Sequence, residues 1–279
     1  MPPKPVPPAD RVDLHSHSHW SDGEHSPQEL ARLAREAGLA AMALTDHDCL
    51  DGFAAFRAAA DGFLAVPGVE VSAREEGADI HVLGLFVDPD HAGLRARLED
   101  LAHERSERMD AMLDRLRKAG IGIVRADVLA HSPQGTLGRP HLALALVGLG
   151  AARSVDDAFR RYLRPRMPGY VAKSGPSPAQ AIAWIHEAGG AAVLAHPGLC
   201  RSLDQVVAYA EAGLDGLEVW HPKHGPGMRE SCLALAERLG LVPTGGSDYH
   251  GARVGDSRVG QEPVPLDVLE RLRDRRPRA

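Results

Sequence analysis

The sequence predicts an α/β protein in which strands and helices alternate around a barrel, with a helical segment inserted in the middle. Two observations predict this fold class. Short aliphatic runs alternate with amphipathic runs over residues 11–91 and again over residues 177–279. Small aliphatic residues abound, while aromatic residues make up only 4% of the 279, a composition that suits helices packed on parallel strands.

The first half of the barrel is predicted from its aliphatic runs. Strands are expected at residues 11–15, 41–45, 64–71 and 80–86, with helices at residues 27–37 and 52–60. Ser26 and Glu29 form a capping box with Pro27 at the first helical position, which marks the start of the first helix. Gly38 marks its end.

The middle of the chain has a different pattern. Residues 91–118 predict one long charged helix or two, in which arginines alternate with acids as on a solvated helix, and residues 121–174 show short helical pieces. Residues 153–166 hold five arginines against two aspartates, a less balanced charge. We therefore predict that residues 92–176 form an inserted helical lid subdomain.

Strand–helix alternation resumes after this insertion. Strands are expected at residues 191–195, 216–220 and 241–245, and helices at residues 177–188, 202–212, 228–239 and 266–274. The barrel is thus predicted to comprise residues 11–91 and 177–279. Residues 1–10 are rich in proline and are predicted to be a disordered lead.

Composition excludes some functional classes. No apolar run approaches the roughly 20 residues of a membrane helix, so no membrane partner is expected. Three widely spaced cysteines, Cys49, Cys200 and Cys232, favour a reducing cytoplasm over a disulfide framework. The formal net charge of −6 argues against nonspecific coating of nucleic acid, but bound divalent ions would still admit a nucleotide substrate.

Histidines and carboxylates gather at the ends of the predicted strands. In a parallel barrel these ends meet on one face, where active sites lie. His15 and His17 are two residues apart, so in a strand they point to the same side and can reach one metal ion, and the same holds for Asp248 and His250. Imidazole with carboxylate suits Zn, Mn or Fe.

Six motifs in this order resemble the PHP (polymerase and histidinol phosphatase) family. They are D-L-H-x-H-x-x-x-S-D-G from Asp13, T-D-H-D from Thr45, P-G-V-E-V-S from Pro67, H-V-L-G-L from His81, A-H-P-G from Ala195 and G-S-D-x-H from Gly246. The resemblance covers residues 13–251. Within residues 92–176, Gly138-Arg139-Pro140-His141 and Gly169-Tyr170-Val171 resemble one branch, that of nucleoside 3′,5′-bisphosphate phosphatases and a related 5′-3′ exoribonuclease.

The resemblance implies a distorted (β/α)7 barrel of the TIM-like kind with two or three divalent metal ions, Mn, Zn or Fe. His15, His17, Glu70 and Asp248 would hold the first ion; Glu70, His81 and His196 the second; and Asp22, His47 and His250 the third. The ions would activate a bridging water to hydroxide and align the phosphate for in-line attack. Asp248, His196 and His250 are the expected catalytic residues, with Asp248 or a nearby histidine passing a proton to the leaving oxygen.

Seven further residues are candidates for substrate binding. They are Arg139, His141, His19, Tyr170, Lys173, His221 and His224. Arg139 and His141 either clamp a second phosphate or cap and pack the insertion, and a guanidinium suits bidentate phosphate contact. His19 either touches substrate or only borders the site. His221 and His224 either bind substrate or belong to a solvated loop or to the support of the ligands.

The expected function is hydrolysis of the 3′-phosphate of a nucleoside 3′,5′-bisphosphate, such as adenosine 3′,5′-bisphosphate. A 5′-3′ exoribonuclease acting on RNA or short oligonucleotides is the first alternative, since the same bond cleavage serves both. A histidinol-phosphatase-like phosphomonoesterase and a non-catalytic PHP module are further alternatives. The expected partners are a small phosphorylated nucleotide or a short RNA, and the oligomeric state is open.

Overall fold

Seven strands lie side by side in chain order in the computed structural model of the protein, which describes residues 10–132, 136–200, 202–252 and 255–277. They are β1 Arg11–Asp13, β2 Ala41–Leu44, β3 Leu64–Glu75, β4 Ala78–Leu85, β5 Ala191–Leu194, β6 Gly216–Trp220 and β7 Val242–Gly245. The Leu14 N–H donates to the Gly245 carbonyl at 3.2 Å, and Ser16 forms a parallel bridge with Tyr249, which brings the ends of the sheet together. The predicted distorted barrel is confirmed.

Ten α-helices are found in the described ranges. They are α1 Pro27–Glu36, α2 Phe53–Ala59, α3 Ala92–Lys118, α4 Arg125–Leu129, α5 Arg139–Gly148, α6 Val155–Ala158, α7 Pro178–Glu187, α8 Gln205–Glu211, α9 Pro226–Leu239 and α10 Val268–Arg273. A π-helical turn, Phe159–Leu163, follows α6, and a 3₁₀ turn, Pro197–Leu199, follows β5. The predicted capping box of α1 is present, with Ser26 accepting from Glu29 N–H and Glu29 accepting from Ser26 N–H.

The strand–helix alternation fails between β3 and β4. These strands form an antiparallel hairpin through a turn at Glu76 and Gly77, and β4 is also antiparallel to β5. β3 still pairs parallel with β2, but β3 and β4 run antiparallel because a turn this short cannot make the long crossover that parallel pairing needs. As a result, β4 begins at the end of the barrel where the parallel strands finish, which places His81, early in β4, opposite Ser72 of β3.

The sequence also failed to predict one short strand. Val264–Pro265, β8, pairs antiparallel with β1 at the seam of the barrel. A segment of two residues carries no recognisable period. Residues 1–9 of the predicted disordered lead lie outside the described residues.

Two hydrophobic clusters form the barrel. Aliphatic side chains that alternate along the strands fill its interior, among them Val12, Ala43, Leu83 and Val193. A second cluster joins the strands to the surrounding helices, with Ile182 and Ile185 of α7 packed against β3 and β4. Burying each such side chain contributes about 1.5–3 kcal/mol.

Helix α3 links the barrel to a third cluster. Its first half places Leu94, Leu98 and Leu101 in the cluster shared with the strands, and its second half packs Met112 and Leu116 against α5 and the π-helical turn. This third cluster, drawn from residues 109–171, favours the division into a barrel and an inserted subdomain, which stays a prediction. Within the described ranges, no helix combines the length and apolar character needed to cross a membrane.

Candidate metal centre and adjoining cleft

The loops that follow β1, β2, β5 and β7 converge at one end of the barrel. His15 and His17 follow β1, are fully buried, and bring their Nε2 atoms to 3.1 Å of each other. Asp46 holds the first loop in place by accepting hydrogen bonds from the hydroxyls of Ser18 and Ser21 at 2.7 and 2.6 Å. The same loop carries Asp22 into the cluster.

Glu70 lies at the centre of this cluster. Its backbone is fixed by N–H donation to the Asp46 carbonyl and by acceptance from Asp48 N–H. Five histidine rings surround its carboxylate within 2.8–3.4 Å: His15, His17, His47, His81 and His196. The two carboxylate oxygens face different rings: Oε1 faces His81 and His196, and Oε2 faces His15, His17 and His47. Glu70 therefore has the geometry of a bridging ligand.

Two further carboxylates complete the cluster. Asp248 Oδ1 lies 3.3 Å from His15 Nε2, and its Oδ2 lies 3.2 Å from His221 Nε2. Asp22 lies 3.3 Å from His250 Nε2 and 3.7 Å from His47 Nε2. Three of these distances exceed an ordinary hydrogen bond, so the groups surround shared space rather than forming tight pairs.

All nine predicted metal ligands meet here. Four overlapping groups place their ligand atoms within 4.8 Å of one another: His17, Asp22, His47 and His250; His15, Glu70 and His196; His15, His17 and Asp248; and His47, Glu70 and His81. The groups agree only in part with the implied division among ions: His17 also joins Asp22, His47 and His250, whereas Glu70 is grouped with His15 and His196 and, separately, with His47 and His81. Which residue binds which ion stays a prediction.

Four buried atoms of the cluster make no hydrogen bond in the structure: Asp22 Oδ1, His47 Nδ1, Glu70 Oε2 and His81 Nδ1. His47 Nδ1 and Glu70 Oε2 are only 3.0 Å apart, yet their orientation is not that of a hydrogen bond. Buried polar atoms without partners are costly, and divalent cations would satisfy all four. The donor set of imidazoles and carboxylates therefore fits such ions.

The charges of the cluster also favour cations. Burial by itself would raise the pKa of Glu70, but His47, His81 and His15 hold it well below its usual value. Asp248 and Asp22 are held low in the same way by neighbouring histidines. Burial opposes protonation of His17, yet the pKa of His17 is raised to about 10 because the carboxylates of Asp248 and Glu70 lie beside its ring. The lowered pKa values keep Glu70, Asp248 and Asp22 ionised, which is the form in which carboxylates bind metal ions.

Three residues at this end have left-handed backbone conformations without being glycine. They are Asp48 (φ 50°), His196 (φ 30°) and Asp248 (φ 47°). Each such residue costs about 1–3 kcal/mol and persists only where its surroundings hold it. A glycine is also required at position 246, because a Cβ there would lie 2.4 Å from the backbone nitrogen of His15. Of the six non-glycine residues with positive φ in the described ranges, three therefore are proposed ligands or lie beside one.

The cluster opens into two adjoining cavities. The larger, about 650 Å³, is lined by Glu70, His221 and Asp248 and by apolar side chains such as Phe159 and Leu199. The smaller, about 320 Å³, shares several lining residues with it and is rich in basic groups. We call this second cavity the cationic pocket; its basic side chains outside the histidine cluster are Arg105, Arg108, Arg139 and Lys173.

Arg105 and Arg108 were expected on a solvated helix face, and this prediction is wrong. Arg105 donates from Nε to Asp48 Oδ2 at 2.7 Å and from Nη2 to the Ser72 hydroxyl at 2.5 Å, and its side chain is only 11% exposed. Arg108 donates to the Val171 carbonyl, and burial lowers the pKa of Arg108 to about 10. The helical period of α3 did not reveal them because their partners come from distant segments.

Two of the predicted substrate residues line the cationic pocket. Arg139 donates to Asp79 at 3.0 Å, and its guanidinium lies 5.8 Å from the centre of the Phe159 ring. Burial, reinforced by Arg105, lowers the pKa of Lys173 to about 7. His221 lines the larger cavity, where its Nε2 lies 3.2 Å from Asp248.

The other four predicted substrate residues lie elsewhere. His141 is buried and its Nδ1 accepts from Gly138 N–H, which caps its own helix. His224 donates from Nδ1 to the Val219 carbonyl and accepts at Nε2 from Gly198 N–H, so both ring nitrogens are occupied by backbone. His19 packs against Trp20, and neither His19 nor Tyr170 lines the two cavities.

Sequence reasoning missed one buried carboxylate of this region, Glu218. It lies on β6, fully buried, with Oε1 3.1 Å from His15 Nδ1 and Oε2 accepting from His196 N–H at 2.6 Å. Its position near the carboxyl end of a predicted strand was the available signal. The contacts themselves join residues 203 and 22 positions apart in the chain.

A barrel with histidines and carboxylates gathered at one end, beside a basic pocket, defines a class of metal-dependent phosphoesterases. Residues 13–124 match the sequence model of a known family, the PHP domain. The chain is 37% identical over 261 residues to a 3′,5′-nucleoside bisphosphate phosphatase of Chromobacterium violaceum, covering 89% of this chain and 90% of the relative. The chain belongs to the PHP family.

Two further similarities agree with this membership. The chain is 35% identical over 247 residues to the 5′-3′ exoribonuclease Rnm of Escherichia coli, covering 85% of this chain and 84% of that protein. A crystal structure of a putative metal-dependent phosphoesterase from Bifidobacterium adolescentis superposes with a TM-score of 0.89 at 34% identity, covering 98% of each chain. These relatives confirm the prediction of a hydrolase acting on phosphate esters.

Proposed function

We propose that this protein removes the 3′-phosphate from nucleoside 3′,5′-bisphosphates. The observation that carries the proposal is the cationic pocket, which opens directly from the cluster of nine proposed ligands. One phosphate would lie at the cluster and the second in the pocket. The named activity of the Chromobacterium violaceum relative supports this assignment.

The nine clustered residues would hold two or three divalent ions, of which Mn, Zn and Fe suit the donor set. When bound, such ions neutralise phosphate charge and make a water acidic enough to act as a nucleophile near neutral pH. Glu70, whose two oxygens face different histidines of the cluster, would be among the residues that hold these ions. The three free cysteines suit a reducing compartment such as the cytoplasm.

The chain's own groups would handle the proton and the leaving oxygen. Asp248 and His221 face each other at 3.2 Å on the wall of the larger cavity, so they can hold a proton beside the leaving oxygen. His196 and His250 lie on the same wall and would orient the reacting phosphate.

The second phosphate would be recognised by charge. Four basic side chains line the pocket against two carboxylates, Asp79 and the proposed metal ligand Asp22, so the pocket keeps a formal excess of positive charge even though Arg105 pairs with Asp48. Arg139 would contact the phosphate, a role supported by its position in the lining of the pocket, where its carboxylate contact is with Asp79. A charge-assisted hydrogen bond of this kind is worth about 1.5–3 kcal/mol, or roughly 10- to 150-fold in binding.

The test is phosphate release in the presence of Mn²⁺ from adenosine 3′,5′-bisphosphate and from adenosine 3′-monophosphate. The proposal expects a higher kcat/KM for the bisphosphate, and Arg139→Met should remove most of this preference. Arg97→Met is the matched control, because Arg97 pairs with Glu187 away from the pocket. Equal turnover of both substrates by the wild-type protein would contradict the second-phosphate site.

A 5′-3′ exoribonuclease is the second candidate. The apolar wall of the larger cavity, with Phe159 and Leu199, offers a surface on which a base of a longer strand can stack. The Escherichia coli relative carries this name. Incubating 5′-phosphorylated RNA with the protein and resolving the products on a gel decides the matter, since an oligomer that stays intact excludes the nuclease.

A further inference from the structure

Strand β6 places one carboxylate behind two proposed ligands at once. Glu218 is fully buried, and both its oxygens are engaged: Oε1 with the Nδ1 of His15 at 3.1 Å and Oε2 with the backbone N–H of His196 at 2.6 Å. Glu218 is in none of the four groups of convergent ligand atoms. Its carboxylate therefore supports the ligands rather than joining them.

We infer that Glu218 is a positioning residue that fixes the tautomer of His15 and the backbone of His196, and thereby assembles the proposed metal centre. This inference rests on the proposed metal-dependent function. A histidine that binds a metal through one ring nitrogen commonly donates its other N–H to a carboxylate, which sets the tautomer and the ring orientation.

The tautomer of His15 follows from this contact. An ionised carboxylate only accepts hydrogen bonds, so Glu218 requires the proton of His15 to be on Nδ1. In the neutral ring, which is the form that binds a metal ion, His15 Nε2 then carries the lone pair, and it is this atom that faces Glu70 and Asp248 at 3.4 and 3.3 Å. The carboxylate thus directs the ligating nitrogen toward the cluster.

The second oxygen acts on a strained residue. His196 has a left-handed φ of 30°, and its N–H has a charged acceptor in Glu218. Two residues later, Gly198 N–H donates to the buried His224, whose ring is itself anchored to the Val219 carbonyl of β6. The turn that presents His196 is therefore held from β6 at two points.

Glu218→Gln is the informative substitution because it keeps the shape and changes the hydrogen bonding. The amide oxygen can still accept from His196 N–H, but the amide NH₂ would donate to His15 Nδ1. The His15 proton would then move to Nε2, and this nitrogen would no longer bind a metal. Loss of such support typically lowers metal affinity about 10- to 100-fold.

The chain contains a matched control at the opposite end of the same strand. Asp215 is also a buried carboxylate that joins a histidine ring, His186 at 2.8 Å, and a backbone N–H, that of Ala192 at 2.8 Å. His186 is not among the convergent ligand groups. Both of these contacts are made by Asp215 Oδ2, so Asp215→Asn removes a buried carboxylate charge beside a histidine while its amide oxygen can keep both contacts, and it touches no proposed ligand.

The experiment is Mn²⁺ and Zn²⁺ binding by the full chain, measured by titration after removal of metals with a chelator. The melting temperature of the metal-free proteins and the ¹⁵N chemical shifts of the histidine rings are recorded alongside. We expect E218Q to lose about 10- to 100-fold in affinity for at least one ion, with a His15 signal that changes tautomer. D215N should keep the wild-type affinity.

The inference is overturned if E218Q binds both metals as the wild type does, or if D215N loses the same affinity, since that would make the effect a general loss of stability. A large fall in the melting temperature of metal-free E218Q with an unchanged His15 tautomer would also overturn it, because packing would then explain the result. Failure of the wild-type protein itself to bind metal would instead contradict the proposed function.

Discussion

Replacing Arg105 by methionine should destabilise the protein because it leaves a buried carboxylate without its cation. Arg105 Nε donates to Asp48 Oδ2 at 2.7 Å, and the Asp48 side chain has no exposed surface. Removing one partner of a buried ion pair costs about 3–5 kcal/mol. The lower end, about 3 kcal/mol, is expected because Ser72 N–H still donates to Asp48 at 2.7 Å. This is a large part of the usual total stability of about 5–15 kcal/mol.

The assay is urea unfolding of the metal-free proteins in a chelator, so that metal binding does not shift the equilibrium. Three variants are compared: R105M, D48N and the double variant. Asp48→Asn removes the unpaired charge, so the double variant should be more stable than R105M by at least about 1 kcal/mol. A cost below about 1 kcal/mol for R105M, or additive costs in the double variant, would refute the reasoning.

The same pair predicts a pH dependence. Burial raises the pKa of Asp48, but Arg105 and Lys173 outweigh it and hold the pKa below its usual value. A carboxyl group with a lowered native pKa contributes stability that is present above its unfolded pKa of about 3.9 and is lost as the pH falls through the lower native value. The stability difference between the wild type and R105M should therefore shrink as the pH falls below about 4.

Three further outcomes are expected. Glu70→Gln should lower metal-dependent phosphate release by more than about 100-fold, the upper range for residues that only support a ligand, whereas unchanged activity would exclude a bridging role. The pKa of Lys173 is lowered to about 7, so the cationic pocket loses a positive charge as the pH rises through 7. The KM for the bisphosphate should therefore rise over this range in the wild type but not in Lys173→Met. Parallel pH profiles of KM in the two proteins would contradict this expectation. Saturating Mn²⁺ at about 100 times its Kd should stabilise the protein by about 2.7 kcal/mol in unfolding experiments, and no shift on adding metal would mean that the cluster binds none.

Much of the candidate site could be predicted because its residues are read locally. His15 and His17 are two apart, and Asp248 and His250 likewise, so each pair shares a side in extended chain. Strand ends also meet on one face of a barrel, and this rule brought Glu70 and His196 into the same prediction. The structure places all nine residues of that set together, while their assignment to particular ions stays a prediction.

Some predictions failed because a local sequence pattern is compatible with more than one structural environment. The charged helix α3 was read as solvated because arginine and acid alternate along it, but Arg105 pairs with Asp48, 57 residues away in the chain. His224 lies in a loop with His221, yet only His221 faces the cavity, since backbone groups occupy both nitrogens of His224. The antiparallel orientation of β4 could not be predicted, because an aliphatic run indicates a strand but not whether that strand is parallel or antiparallel to its neighbours.

The sequence by itself determined the class of fold, the end of the barrel that carries the site and the chemical nature of the ligands, because periodicity, caps and short motifs act within a few residues. Only the tertiary structure decided which distant groups complete the site. The contact of Glu218 with His15 and the basic pocket built from α3, α5 and Lys173 arise when the barrel closes. Hydrogen bonds and ion pairs require the two groups to lie within a few ångströms of each other. Arg105 and Asp48 are 57 residues apart in the chain, and His15 and Glu218 are 203 apart, so no local sequence pattern can predict these contacts.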